Sequence, residues 1–124
     1  MRAIICRNNL GYIGLNGQLP WKCKDDLLHF KNLTMNSSLL VGYKTYQTLP
    51  KLKDRTVIID NDNVDINEID WCIGGKKTYE KYCQYFTELH ISIVDDDTIG
   101  DTMFPDLKNL PASCKIFYYN FKKD

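Results

Sequence analysis

Short runs of apolar residues alternate along the chain with polar, glycine-containing segments. Six runs of three to seven residues predict strands, because they are too short for buried helices. They lie at residues 3–6, 38–42, 55–59, 71–73, 89–94 and 115–121. Apolar residues spaced three and four apart predict helices at 25–33 and 76–86, and a brief helix at 44–49 ends before Pro50. Strands that alternate with helices indicate right-handed crossovers and a largely parallel sheet, so we expect one α/β domain over residues 1–124.

The remaining segments predict loops. Residues 8–20 are rich in Asn and Gly, and residues 60–70 are acidic with at most one turn of helix expected. The acidic run Asp95–Asp97 is interpreted as a solvated turn rather than a metal site. A turn-rich linker follows Phe104–Pro105 and leaves room for one final strand.

A glycine-punctuated loop leads directly into the first predicted helix. Gly14 and Gly17 allow unusual backbone angles, and Pro20 stiffens the chain before Trp21. Asp26 then lies on the apolar stripe of the helix, where a carboxylate is costly unless it is paired or serves a purpose. The alternative is that Asp26 lies at the helix edge in the first turn, where the dipole favours acidic residues.

Two turns have the same strand–glycine–helix arrangement, at residues 41–45 and 73–79. Free backbone N–H groups at such a turn can bind an anion, and glycine permits a close approach. Two of these turns in one small domain suggest a ligand with several phosphates, such as a dinucleotide. The alternative is two ordinary strand-to-helix turns.

Composition narrows the classes of function. With 44% hydrophobic residues and a formal net charge of zero, the chain is a packed globule with no global field for nucleic acid or a membrane. Its five cysteines form no CxxC pair, which favours free thiols in a reducing compartment. The two histidines have no metal-ligand spacing, so no metal is expected. The N-terminus does not resemble a signal peptide, and the expected location is the cytoplasm.

Several of these segments together resemble the dihydrofolate reductase family. The resemblance is carried by Ile13-Gly14, Leu19-Pro20-Trp21, Asp26 with Phe30, the two glycine turns, and Asp101–Pro105, which resembles the segment that supports the glycine loop. It covers residues 1 to about 105. It implies a mostly parallel central sheet with flanking helices and a shortened antiparallel C-terminal edge. The compact length resembles phage-encoded versions, whose location would be the host cytoplasm.

The resemblance implies reduction of 7,8-dihydrofolate to tetrahydrofolate by hydride transfer from NADPH. Asp26 would bind the pterin and promote protonation of N5, with the proton passing through water beside Trp21. Ser92 would share a hydrogen-bonding network with Asp26, and Arg55 would hold the carboxylate of the glutamyl tail. The implied substrate-binding residues are Ile4, Ile5, Leu27, Phe30, Arg55 and Ile73.

The cofactor site is implied in the same way. Tyr43 stands where the family usually has an arginine for the 2′-phosphate of NADPH, so NADH is an alternative cofactor. Lys76 replaces a small residue after the diglycine. The implied cofactor-binding residues are Cys6, Ile13, Leu19, Gly42, Tyr43, Lys44, Thr45, Ile73, Gly74, Gly75, Lys76, Lys77, Thr78, Tyr79 and Thr102.

Two other functions remain open from the sequence. One is a related reductase that acts on another pterin or on a pyrimidine. The other is a non-catalytic module that binds folate or a nucleotide, or that serves as a structural part. The chain is expected to be a monomer, and pairing through the shortened sheet edge is the alternative.

Overall fold

A computed structural model describes residues 1–124 of the chain. Eight strands form: β1 Arg2–Asn8, β2 Tyr12–Gly14, β3 Ser38–Val41, β4 Thr56–Ile59, β5 Trp71–Cys72, β6 Glu88–Asp95, β7 Thr102–Met103 and β8 Lys115–Lys122. The α-helices are α1 Lys24–Thr34, α2 Tyr43–Thr48 and α3 Lys76–Tyr82, and the 3₁₀ turns are Ile66–Glu68 and Cys83–Tyr85. None of the helices combines the length and the apolar character that crossing a bilayer requires.

Six strands form a central sheet in the order β4-β3-β5-β1-β6-β8, and every pair in it is parallel. The middle strand β1 is buried on both faces, with Ala3, Ile4 and Ile5 all under 7% exposed. This burial explains why its sequence is continuously apolar rather than alternating. The prediction of a mostly parallel sheet with flanking helices is confirmed by the sheet pairing and by the structural similarity reported below.

The core has two layers, one on each face of the sheet. Ile5, Leu40 and Leu89 pack with Tyr79 and Phe86 on the side of α3. On the other face, Ile4, Leu39 and Trp71 form a smaller cluster against Phe30 and Leu33 of α1. Helix α1 is therefore fixed to the sheet through its apolar stripe, and the same stripe carries Asp26, which is 7% exposed.

The C-terminal edge differs from the antiparallel arrangement that the resemblance implied. Strand β8 runs parallel to β6, from Glu88 opposite Lys115 to Asp95 opposite Lys122. The connection from Asp95 to Lys115 is long enough for the crossover that parallel pairing requires. The antiparallel pair in this fold is the separate two-stranded sheet of β2 and β7.

The acidic run Asp95–Asp97 also differs from its interpretation as a solvated turn. Asp95 and Asp97 are exposed, but Asp96 is only 4% exposed. It accepts hydrogen bonds from the Asn8 side chain and from the backbone and hydroxyl of Thr98, and it pairs with Lys123. A buried carboxylate with these partners stabilises the ends of β1 and β6.

Candidate active site

A cleft of about 1430 Å³ opens beside the carboxyl half of the sheet. Its walls come from β1, from the glycine loop and the first turns of α1, and from the starts of α2 and α3. This position is the one expected for a ligand in an open α/β sheet, where strand ends and helix starts leave backbone groups free.

One side of the cleft contains polar groups that have no partner in the protein. Asp26 is 7% exposed and its carboxylate has no N–H or O–H donor in the protein, only the Cys6 thiol beside it. Trp21 Nε1 and Ser92 Oγ are buried without a hydrogen-bond partner. Because Ser92 Oγ makes no hydrogen bond within the protein, the hydrogen-bonding network that the resemblance implies between Ser92 and Asp26 stays a prediction. Burying unpaired polar groups destabilises a protein, so a cluster of them indicates a site built to receive polar atoms of a ligand.

Cys6 lies between these groups. It faces Ser92 across the β1–β6 pair, and the Asp26 carboxylate and the Trp21 ring are close to its thiol. Burial, and then the negative charge of Asp26, raise the pKa of Cys6 far above its usual range. The thiol therefore stays protonated, and it is a neutral wall of the site rather than a nucleophile.

The glycine loop is held in a defined turn. Leu15 and Gln18 exchange backbone hydrogen bonds of 2.7 and 3.1 Å around Asn16 and Gly17, whose φ angles are 52° and 80°. Positive φ at both central positions is the geometry that an Asn-Gly turn adopts readily. The loop is also tied across the cleft, because Thr48 at the end of α2 donates a hydrogen bond of 3.0 Å to the Gly17 carbonyl.

The segment after β6 supports this loop from outside. Asp101 donates its backbone N–H to the Gly14 carbonyl at 3.0 Å, and its carboxylate accepts from the Asn16 amide at 2.9 Å. These hydrogen bonds, from the Asn16 amide and then from Thr102, lower the pKa of Asp101. Thr102 itself pairs with Gly14 in the β2–β7 sheet. The contacts have the geometry that the sequence predicted for a supporting segment.

The two glycine turns meet each other at the opposite side of the cleft. Gly42 donates its N–H to the Gly74 carbonyl at 2.7 Å. A Cβ at Gly42 would lie 2.6 Å from Thr78 Oγ1, and a Cβ at Gly75 would lie 2.7 Å from Thr45 Oγ1. Neither helix that starts here has a side-chain cap, so the N–H groups of both first turns remain available to an anion.

Tyr79 joins these turns to the middle strand. Its hydroxyl donates a hydrogen bond of 2.6 Å to the Ile4 carbonyl, and its ring lies against Gly74, whose φ is 112°. Complete burial, and then the thiol of Cys72, raise the pKa of Tyr79 well above its ordinary value. The phenol is therefore a fixed neutral donor that holds β1 and the diglycine together.

Most of the predicted site residues line this single cleft. All three predicted catalytic residues line it: Asp26, Trp21 and Ser92. The predicted substrate-binding residues that line it are Ile4, Ile5, Leu27, Phe30 and Ile73. The predicted cofactor-binding residues that line it are Ile73 again and Cys6, Ile13, Leu19, Gly42, Tyr43, Lys44, Thr45, Gly75, Lys76, Lys77, Thr78, Tyr79 and Thr102.

Two predicted residues do not line the cleft. Gly74 lies behind Gly75, against Tyr79. Arg55 lies beyond the far end of α1, where its guanidinium donates to Thr34 Oγ1 at 3.2 Å and lies 5.9 Å from the centre of the Phe30 ring. Because Phe30 lines the cleft, Arg55 is one side chain away from it.

Other lining residues were not among the predicted site residues, although the resemblance implies that the carboxylates of residues 60–70 lie near the adenine and ribose. Asp60 follows β4 and accepts hydrogen bonds from Tyr82 Oη at 2.5 Å and from Lys81 Nζ at 3.1 Å. Its position directly after a predicted strand was the signal that could have identified it. Asp124 gave no signal, because its place at the cleft depends on a contact with α1, about 100 residues earlier in the chain. The further lining residues missed are Gln18, Lys22, Cys23, Lys24, Thr48, Leu49, Pro50 and Leu52.

Comparison with known proteins identifies the same family that the motifs suggested. The family model of dihydrofolate reductase matches residues 1–71. A dihydrofolate reductase of Buchnera aphidicola (subsp. Schizaphis graminum) is 29% identical over 137 residues, covering 94% of this chain and 82% of the relative. The type 5 dihydrofolate reductase of Escherichia coli is 33% identical over 121 residues, covering 80% of this chain and 77% of the relative.

A solved structure has the same fold. Dihydrofolate reductase from Enterococcus faecalis, complexed with NADP(H) and RAB-propyl, superposes with a TM-score of 0.73 at 24% identity. The match covers 86% of this chain and 77% of that one.

Proposed function

This chain belongs to the dihydrofolate reductase family, and from that premise we propose that it reduces 7,8-dihydrofolate to tetrahydrofolate with NADPH as the hydride donor. The observation that carries the proposal is the buried carboxylate of Asp26, which has no N–H or O–H donor in the protein and shares the cleft with the unpartnered Trp21 Nε1 and Ser92 Oγ. A pterin ring presents adjacent N–H donors along one edge, and a carboxylate can accept two of them at once.

The apolar part of the cleft suits the rings of the substrate. Leu27 is 62% exposed at the cleft, although it is a large apolar side chain on a helix otherwise packed against the sheet. With Phe30 and Ile4 it forms a slot next to Asp26. Covering these side chains would remove apolar surface from water and would orient the ring toward the carboxylate.

The role of Asp26 is electrostatic. A negative charge in a water-poor site stabilises a cation beside it, so Asp26 would favour the form of the substrate that is protonated at N5. Trp21 Nε1 is a buried donor next to this position and would hold the water that carries the proton. Ser92 Oγ would complete the set by hydrogen bonding to that water or to the ring.

The residues around the two glycine turns fit a dinucleotide. NADPH, when bound, supplies the hydride. Gly42 and Gly75 leave no room for a Cβ, and the uncapped starts of α2 and α3 offer N–H groups to phosphate oxygens. Lys44, Lys76 and Lys77 line the same side and add positive charge.

The glycine loop would exclude water from the reacting atoms. Its turn is held by Asp101 from outside and by Thr48 from across the cleft. Water exclusion strengthens every electrostatic interaction inside the site, including that of Asp26.

The proposal also concerns the choice between NADPH and NADH as the cofactor. Tyr43 and Asp60 both line the cleft near the start of α2. A carboxylate after the strand suits a ribose hydroxyl rather than a 2′-phosphate, while Lys44 suits the phosphate. We therefore propose NADPH as the cofactor, with measurable use of NADH.

The proposal also covers the oligomeric state of the protein and its location in the cell. We propose a monomer in the cytoplasm, or in the host cytoplasm if the source is a phage, with no nucleic-acid or membrane partner. The unpaired edge of β8, where Tyr118 is 62% exposed, is the place for the alternative dimer. Sedimentation at several concentrations distinguishes the two.

Turnover of purified protein tests the function. We expect loss of NADPH absorbance that depends on dihydrofolate, and slower loss with NADH. Another pterin or a pyrimidine substrate, tested in the same assay, identifies a related reductase if it is preferred. Folate binding by calorimetry without turnover of any substrate would instead support a non-catalytic binding module.

A further inference from the structure

Helix α1 carries Asp26 in its first turn but begins without a cap of its own. Its N-cap residue is Cys23, whose side chain makes no capping hydrogen bond. The first N–H groups of a helix need partners from outside the helix. Here the Lys24 N–H is directed at the carboxylate of Asp124, and both oxygens lie 3.2 Å from it.

Two more hydrogen bonds join the start of α1 to the C-terminal residues 122–124. The Asp124 N–H donates to the Lys22 carbonyl at 2.9 Å, and the Cys23 thiol donates to the Lys122 carbonyl at 3.4 Å. Cys23 is 4% exposed and packs with Trp21 and Val94. Residues 22–24 and 122–124 are therefore joined by main-chain and side-chain contacts at three successive positions.

The 122–124 segment is anchored at its other side to the sheet. Lys123 Nζ lies 2.9 Å from Asp96 Oδ1, and Asp96 also accepts a hydrogen bond from Asn8 at 3.2 Å. Asn8 is the last residue of β1, the strand that carries Ile4 and Cys6 into the cleft. The segment thus connects the start of α1 with the sheet that forms the facing wall of the site.

Resting on the function proposed above, we propose that Asp124 is a positioning residue that caps α1 and holds the Asp26 carboxylate in place for the pterin. Asp26 is two residues after the capped Lys24, and its only side-chain partner in the protein is the weak donor thiol of Cys6. Its position consequently depends on the backbone of the first turn. An uncapped first turn frays, and the carboxylate then spends less time where the substrate binds.

Replacing Asp124 with alanine and with asparagine separates capping from charge. Both variants remove the negative charge, but asparagine caps a helix about as well as aspartate. Asp106→Ala is the matched control, because Asp106 is an exposed carboxylate whose side-chain contacts are confined to the nearby Lys108. Amide hydrogen exchange of Lys24 and Leu27, whose N–H groups bond to the Asp124 carboxylate and to the Cys23 carbonyl, reports on the first turn without any need for activity.

Asp124→Ala should accelerate exchange at Lys24 and Leu27 about fivefold, a factor typical of the loss of one helix cap. It should raise the KM for dihydrofolate by up to the same factor, because the fraction of the protein with an ordered first turn falls, and should leave the KM for NADPH unchanged. Asp124→Asn should restore both quantities to near the wild-type values, and Asp106→Ala should change neither.

Unchanged exchange in Asp124→Ala would overturn the proposal, and so would faster exchange with no change in the KM for dihydrofolate. Failure of Asp124→Asn to restore the two values would assign the effect to charge and overturn the capping role. A wild-type protein without turnover would overturn the proposed function instead, while the exchange measurement would still decide whether Asp124 caps the helix.

Discussion

Two carboxylates are almost equally buried in this protein, but their surroundings are opposite. Asp96, 4% exposed, receives hydrogen bonds from Asn8, from Thr98 twice and from Lys123. Asp26, 7% exposed, receives no N–H or O–H hydrogen bond and has only the Cys6 thiol beside it. Two of its neighbours in the cleft, Trp21 Nε1 and Ser92 Oγ, are buried without partners. Burial alone therefore does not distinguish a structural carboxylate from a functional one.

The difference lies in what the protein does with the charge. At Asp96 the surrounding donors compensate for desolvation, so the negative charge stabilises the fold. At Asp26 the protein supplies no N–H or O–H donor, and in the proposed function a ligand supplies them. The comparison can be tested, because each carboxylate should dominate one measurable property and barely affect the other.

The largest effect is expected for Asp26→Asn. The variant keeps the shape of the side chain but loses the charge that we propose favours the protonated substrate, so kcat/KM for dihydrofolate should fall by about 100-fold or more. Its free energy of unfolding should stay within about 1 kcal/mol of the wild type, because the only side-chain partner of Asp26 in the protein is the weakly bonding Cys6 thiol. Steady-state kinetics and urea unfolding give the two numbers.

Asp25→Asn is the control for this variant. Asp25 is the preceding residue of α1 and is exposed, so the substitution makes the same change of charge outside the cleft. It should keep kcat/KM within about twofold, since a charge in bulk solvent is well screened. Equal losses in the two variants would mean that Asp26 acts only through the general charge of the helix start.

The place of Asp26 could be predicted from the sequence, because the helical period put a carboxylate on an apolar stripe, and the strands could be predicted from short apolar runs. The direction of β8 could not be predicted, because parallel and antiparallel strands have the same two-residue period. The burial of Asp96 and the contact of Asp124 with α1 could not be predicted either. Asp96 accepts a hydrogen bond from Asn8, 88 positions earlier, and Asp124 accepts one from Lys24, 100 positions earlier, and no local pattern reports such contacts.

Asp96→Ala should have the opposite profile to Asp26→Asn. Loss of its hydrogen bonds should lower the free energy of unfolding by about 2–3 kcal/mol, as expected for a charged, multiply bonded group. Below the unfolding transition, kcat should remain within about twofold, because Asp96 does not line the cleft; the loss of its pair with Lys123 should show only in the KM for dihydrofolate, through the 122–124 segment. Urea unfolding at neutral pH measures the loss, with the exposed Asp97→Ala as the control.

A smaller effect on activity is expected for Ser92→Ala. Removing the buried Ser92 hydroxyl deletes one of the unpaired groups beside Asp26, so kcat/KM should fall about tenfold. Stability should be equal or slightly higher, because a partnerless polar atom no longer needs to be buried. Ser113→Ala, at an exposed position, is the matched control. A marked loss of stability would mean that Ser92 stabilises the fold, as Asp96 does, and would contradict the proposal that its hydroxyl is left free for a ligand.

The smallest expected effect is a change in the stability of the protein at acidic pH, and it concerns the hydrogen-bonded carboxylate of Asp96. Burial opposes the charged form of Asp96, but hydrogen bonds, led by that from Lys123, outweigh it and lower the pKa to about 2 from an ordinary value of 3.8. Because the pKa is lower in the folded protein, the stabilisation is fully present above pH 3.8 and is lost as the pH falls through about 2.

The advantage of the wild type over Asp96→Asn should therefore shrink as the pH falls from about 4 to about 2. After allowance for screening of the half-exposed Lys123, we expect the difference in unfolding free energy to narrow by about 1 kcal/mol. Urea unfolding of both proteins across this range measures it. A constant difference would mean that Asp96 contributes through the shape of its hydrogen bonds and not through its charge.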